Sequence, residues 1–167
     1  LELEALPPGS IVAHGVFLDA AQVRRLAAAR CWIVQNPRSN RGNRVGYPSA
    51  LGESRLVALG TDGYPASMRE EQDVLMEEAR AHGEDLKVAE RRLIAGHALI
   101  ARRFADASGE SSFADAVHLS GSLVEQVMVA GRRVVEDGQL LTGDLDSIRS
   151  EAEKQAPSLW ARMRNHD

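Results

Sequence analysis

Three short apolar runs in the first half of the chain end in side chains that can do chemistry. Ile11-Val12-Ala13 leads into His14-Gly15, whose imidazole can bond a substrate atom or stabilise a developing charge. Cys31-Trp32-Ile33-Val34 leads through Gln35 into Asn36-Pro37-Arg38-Ser39-Asn40, which offers amides and a hydroxyl for orienting a ligand. Leu56-Val57-Ala58-Leu59 leads into Gly60-Thr61-Asp62-Gly63, where flanking glycines let the backbone turn while the carboxylate reaches a metal or a proton. Singly, each has a plainer explanation. An Asp before Gly serves turns and helix caps, and a lone His at a strand end can be a satisfied polar residue. Gly60-x-x-Gly63 lacks the spacing of a phosphate loop. His82, His97, His118 and His166 show no paired metal spacing; His97 lies on an apolar helical face and reads as a satisfied core residue. Cys31 reads as inert packing.

The elements around these residues follow from periodicity. Asp19 can cap a helix with Val23, Leu26 and Ala27 inward and Arg24 and Arg25 outward. The turn-rich stretch from Asn36 to Asn43 is predicted to be neither helix nor strand. Ser67 and Glu70 have capping-box spacing before a helix that presents Met68, Leu75, Met76 and Ala79 on one face and stops at Gly83. A second helix is predicted from Leu86 to Phe104. Beyond the linker Ala107-Ser108-Gly109-Glu110-Ser111-Ser112 the period changes. Val124, Val127 and Val129 before Gly131, then Val134-Val135 before Asp137-Gly138, predict antiparallel strands with short turns. A final helical stretch from about Asp144 carries Ile148, Ala152, Leu159, Trp160 and Met163, with Pro157 expected to break it in two. Fully apolar short strands alternating with helices are the mark of a parallel sheet covered on both faces, so the fold class is α/β. In such sheets ligands meet the carboxyl ends of the strands, where His14, the Asn36 to Asn40 segment and Asp62 all fall.

Composition narrows the function classes. The 167 residues are 44% hydrophobic and 26% charged, as in an ordinary globular protein. Twenty basic against twenty-four acidic side chains leave a net charge of -4, which is no footprint for nucleic acid or an anionic membrane. One cysteine cannot form an internal disulfide, and no apolar run approaches the ~20 residues of a membrane span, so a cytoplasmic protein is expected. The opening Leu1-Glu2-Leu3-Glu4-Ala5-Leu6-Pro7-Pro8 reads equally as the middle of a longer chain or as a processed or tagged start.

Taken together, the order His-Gly, Asn-Pro-x-Ser-Asn, Gly-Thr-Asp-Gly resembles the amidohydrolase superfamily. It is most similar to the aminohydrolase and chlorohydrolase branch of cytosine, guanine, methylthioadenosine and triazine deaminases. The stretches that carry the resemblance are Ile11 to Asp19, Val34 to Asn40 and Val57 to Tyr64, with Val127 to Gly138 and Leu159 to Met163 matching the closing hairpin and last helix. The resemblance implies the C-terminal part of a (β/α)8 metal-dependent hydrolase barrel, strands six to eight with their helices, plus part of a small β-sandwich. The implied boundaries are 1–105 for barrel, 106–143 for sandwich and 144–167 for a C-terminal helical segment. It also implies that Asp62 binds a divalent metal, zinc first and iron second, and shuttles the proton of an attacking water. His14 then contacts the substrate and polarises the carbon under attack, while Asn36, Ser39 and Asn40 line the substrate pocket.

The chain departs from the family pattern in ways that matter. The metal histidines of strands one and five have no counterpart, Gln35 stands where His is frequent, and only Ala105 to Ala116 fills the space of a sandwich strand. A full barrel takes about 250 residues. The expectation is therefore a fragment, one part of a split enzyme or an incomplete piece of a longer chain, with the upstream barrel half as a partner in the same or a separate chain. Homo-oligomers are compatible with this. The expected activity is hydrolysis of a non-peptide carbon–nitrogen bond in a small heterocycle. The alternatives are a chlorohydrolase or cyclic amide hydrolase on the same scaffold, or a non-catalytic piece that folds only against a partner.

Overall fold

Three parallel strands, β1 (Ile11–Ala13), β2 (Trp32–Gln35) and β3 (Val57–Leu59), form a sheet in the order β1-β2-β3 in the computed structural model, which describes residues 5–103, 115–121 and 123–164. Register places Val12 beside Ile33 and Ile33 beside Val57, so these three share one face of the sheet. On that face Ile33 and Val57 join Val23, Leu26, Cys31 and Leu51 in one buried cluster, with Val12 packed against it. Each such fully buried aliphatic side chain is worth roughly 1.5–3 kcal/mol relative to exposure. The return from β1 to β2 runs through α1 (Ala20–Ala28). Asp19 caps α1 as its position predicts, its carboxylate accepting from the Gln22 N–H at 2.7 Å while Gln22 reaches back to the Asp19 N–H at 2.9 Å.

β2 leads directly into α2 (Pro37–Gly42), a six-residue helix where the sequence predicts irregular chain. Pro37 at its first turn is preorganised for a helix start. Helix propensity alone could not hold so short a segment; side-chain bonds described below do. β3 leads into α3 (Met68–Ala81), packed through Leu75 and Ala79 with Met68 and Met76 at its margin, and then into α4 (Leu86–Arg103). Only half of the predicted capping box forms on α3. Ser67 accepts from the Glu70 N–H at 3.4 Å, but the Glu70 carboxylate goes to Arg38. His97 is exposed rather than in the core. The buried stripe of α4 passes instead through Ala89 and Arg92, because Arg92 is drawn inward by Gln35 and Glu84. Phe104, the linker from Ala107 to Ser112 and His166 lie outside the described residues.

The chain divides into two compact units, residues 1–111 and 112–167. The second holds an antiparallel sheet, β4 (Ala116–Ser120), β5 (Leu123–Val129), β6 (Arg132–Glu136) and β7 (Gln139–Leu140), in chain order. Ala130-Gly131 and Asp137-Gly138 turn with positive φ at both residues, the geometry that matches strand twist in a tight hairpin. β4 is a strand that the apolar pattern of the sequence does not predict. α5 (Leu145–Arg164) continues through Pro157 instead of breaking there. No residue of α5 is buried, so a carbonyl released by proline can turn to water. No helix of the described residues is long and apolar enough to cross a membrane.

Candidate active site

The carboxyl ends of the three parallel strands bring together His14, Asn36, Ser39, Asn40 and Asp62 as two hydrogen-bonded sets that meet where His14 approaches Asp62. His14 follows β1 and Asp62 lies three residues beyond β3, and both take left-handed backbone conformations, φ 63° and 50°. Such conformations cost of order 1–3 kcal/mol for non-glycine residues and collect at functional sites. Gly15, next in the chain at φ 68°, would carry a side chain only under strain: a Cβ there would lie 3.1 Å from Leu51 and 3.2 Å from Ile33.

Helix α2 supplies the partners. Asn40 Oδ1 lies 2.8 Å from His14 Nδ1, and the Asn36 amide nitrogen approaches the same ring nitrogen at 3.4 Å. Ser39 donates its hydroxyl to Asp62 Oδ2 at 2.6 Å, and Asn43 donates to the Ser39 oxygen at 3.2 Å. The Gly63 N–H donates to Asp62 Oδ1 at 2.8 Å. His14 Nε2 stands 3.6 Å from Asp62 Oδ2, both side chains about two-fifths exposed (37% and 42%). Asn36, Ser39 and Asn40 are buried. The two titratable groups thus face solvent while the neutral groups that hold them are shielded from it. The Ser39 hydroxyl is the largest cause holding the Asp62 carboxyl below its ordinary value; burial opposes it, and the Gly63 N–H and the neighbouring His14 add smaller effects in the same direction as Ser39. Asp62 is therefore ionised at neutral pH and presents an oxygen to the imidazole. An open depression of about 490 Å³ borders the group at His14 and Asn40, which with Asn43 form its polar side, while Val12, Phe17 and Val45 form its apolar side; Asn36, Ser39 and Asp62 do not line it. That volume suits a small organic molecule.

Gln35 does not belong to this group. It pairs with Leu59 in register, so both side chains leave the same face of the sheet, and its side-chain Oε1 accepts from Arg92 Nη1 at 2.7 Å. Arg92 in turn pairs with Glu84, which also receives the Tyr47 hydroxyl. Burial, the hydrogen bond to Glu84 and its charge push the Tyr47 phenol up to about 12.

Two further residues of the site escape a reading of the strand ends. Gly60 leaves room for Asn36: a Cβ at this position would lie 2.6 Å from Asn36 Oδ1 and 2.6 Å from Val34 Cγ1. Glycine directly after an apolar strand and before a functional loop is the signal for such close approach. Arg38 ties α2 to the segment that follows Asp62; its place in the middle of Asn-Pro-Arg-Ser-Asn was its only sequence signal.

Among the described residues no three His, Cys, Asp or Glu side chains are grouped to hold a metal ion. Asp62, with His14 beside it, is the one place in the group where a cation could be approached. That donor set falls short of the three or four protein ligands of a zinc centre. These residues do not make a metal site by themselves.

The structure resembles solved amidohydrolases. An amidohydrolase from an environmental sample of the Sargasso Sea matches 97% of this chain and 44% of its own, with a TM-score of 0.70 and 19% identity. The chain shares the fold of the matched part of that protein. A zinc-bound adenosine deaminase from Xanthomonas campestris shares that fold over 90% of this chain and 42% of its own, with a TM-score of 0.62 and 18% identity. An atrazine chlorohydrolase from Arthrobacter aurescens in complex with zinc shares it over 87% and 41%, with a TM-score of 0.59 and 17% identity. In sequence, a 5-methylthioadenosine/S-adenosylhomocysteine deaminase from Haloquadratum walsbyi is 28% identical over 96% of this chain and 44% of its own length. No protein-family model matches the chain. The chain spans less than half the length of each of these proteins.

Proposed function

We propose that this chain carries the proton-transfer half of an aminohydrolase centre, one that hydrolyses a non-peptide carbon–nitrogen bond of a small heterocycle. The reading rests on one observation above others: an ionised carboxylate and an imidazole, 3.6 Å apart, meet at the open carboxyl ends of two strands of a parallel sheet. It is supported by the similarity to a deaminase over nearly the whole chain. In this reading the substrate is a purine nucleoside or a related ring with an exocyclic amine.

The residues have separable tasks. Asp62 accepts a proton from the attacking water and passes it to the nitrogen that leaves as ammonia when the carbon–nitrogen bond breaks. Ser39 and the Gly63 N–H keep Asp62 ionised and aimed, so that its free lone pairs point out of the protein. His14 stabilises the ring atom on which charge develops, and Asn40 with Asn36 holds the imidazole in place. Asn36, Ser39 and Asn40 serve the substrate chiefly by holding these two groups. A divalent metal, zinc by analogy with the zinc-bound neighbours, would supply a water of lowered pKa. Asp62 could give it one ligand, and the others would come from the rest of a barrel of which these three strands are one part.

The test is ammonia release by this chain assembled with the strands that complete its barrel, assayed on adenosine, methylthioadenosine and a chlorinated triazine. His14→Asn should lower kcat on the order of 10²-fold, the usual loss for one transition-state stabiliser. Chloride release from the triazine with no ammonia from any nucleoside would replace the deaminase reading with the chlorohydrolase one.

A further inference from the structure

Helix α2 carries Ser39 and Asn40, yet it is six residues long and lacks a side-chain cap of its own. The Asn36 amide, placed to cap it, lies instead against His14 and the Val34 carbonyl. The cap comes from another helix: Glu71 of α3, fully buried, accepts the Arg38 backbone N–H at 3.1 Å. The same carboxylate accepts Arg38 Nε at 2.6 Å. The rest of the guanidinium spans the segment after Asp62, donating to the Pro65 carbonyl at 2.5 Å, the Ser67 carbonyl at 3.4 Å and Glu70 at 2.6 Å, with its centre 5.5 Å from the Tyr64 ring.

We propose that Arg38 and Glu71 form a positioning pair for the site. They lock the loop that carries Asp62 against the helix that carries Ser39, and they take over the cap of α2 so that Asn36 is left free for His14. A planar fork with five donors is what four acceptors spread over residues 65–71 require; a lysine ammonium in the same place carries the charge without the geometry. The 2.6 Å bond from Ser39 to Asp62 joins two segments that have no common secondary structure, so its length depends on what holds those segments together. The consequence for catalysis rests on the aminohydrolase reading above; the structural claim does not.

Amide hydrogen exchange on the full chain tests the pair. In Arg38→Lys and Glu71→Gln, exchange in segments 37–43 and 61–67 should rise by at least about tenfold while amides of β1 and β2 change by less than about threefold, the pattern of local rather than global opening. Arg41→Gln, which removes an exposed pair with Glu77 and Glu78 from the same helix, should change neither. An equal rise in all segments, or none in 61–67, would overturn the proposal. Should Arg38→Lys fail to fold, Glu70→Gln removes only the exposed arm, and unchanged exchange in 61–67 would then overturn it. In the assembled enzyme, Arg38→Lys should lower kcat at least about tenfold with KM little changed, as misplacement of catalytic groups predicts. Altered exchange with wild-type kcat would reduce the pair to a structural staple and overturn its positioning role. An inactive wild type would instead count against the aminohydrolase reading, leaving exchange to judge the pair.

Discussion

Helices α2 and α5 invert the usual relation between composition and burial. α2 is Pro-Arg-Ser-Asn-Arg-Gly, poor helix-forming material, and four of its six residues are buried. α5 is twenty residues with apolar side chains at helical spacing, and none is buried; Trp160 is 53% and Met163 55% exposed. The contrast extends to the two units that contain them. Every fully buried apolar side chain among the described residues lies between Val23 and Ala89, and the strands from Ala116 to Leu140 contribute none. Burial here follows the partners that tertiary structure supplies. For α2 those partners are polar and specific, and they converge where the chemistry is proposed.

That difference predicts unequal responses to substitution. Glu84→Ala would leave the buried Arg92 without its carboxylate and should cost about 3–5 kcal/mol in urea unfolding. Trp160→Ala, on the exposed helix, should stay within about 0.5 kcal/mol. Equal costs would dissolve the contrast between the two units. Gly60→Ala should fall between, at about 1–3 kcal/mol, because its methyl group meets Asn36 and Val34. It should also displace the Asn36 amide from His14, visible as changed side-chain amide shifts; a neutral substitution with unchanged shifts would show that the strand end yields without involving the site.

The smallest effect is the most local. Because Asp62 titrates below its ordinary value in the folded chain, its contribution to stability is complete above the ordinary aspartate range and is lost as pH falls through the depressed value. Ser39→Ala removes the largest cause of that depression, so the Asp62 carboxyl should titrate at higher pH, read from its carboxyl carbon shift. An unchanged titration would mean that Ser39 does not hold the carboxylate.

Much of the first unit was legible in the sequence because its strands are short, apolar and followed at once by polar residues, and because Asp19 caps α1 through purely local bonds. The grouping of His14, Asn36, Ser39, Asn40 and Asp62 was legible for the same reason: parallel strands deliver their carboxyl ends to one side. What stayed hidden depends on distant partners. α2 could not be read because its cap and its anchor come from Glu71, thirty-three residues away in sequence. Glu70 satisfied the spacing of a capping box yet serves Arg38. His97 followed the apolar period of α4, but a buried arginine rotated that helix's inward stripe. In β4, Ala116-Val117-His118-Leu119-Ser120 is strand by virtue of pairing with β5, where its own alternation is weak.

The central claim is that the carboxylate held by Ser39 and Gly63 moves the proton in carbon–nitrogen bond hydrolysis. Asp62→Asn in the assembled enzyme addresses it most directly, with circular dichroism to show that the fold is kept and ammonia release as the readout. The substitution preserves shape and can still accept the Ser39 hydroxyl, but it cannot take a proton from water at neutral pH. Turnover should fall by roughly three or more orders of magnitude, beyond the loss at His14. Ammonia release at the wild-type rate would contradict the account.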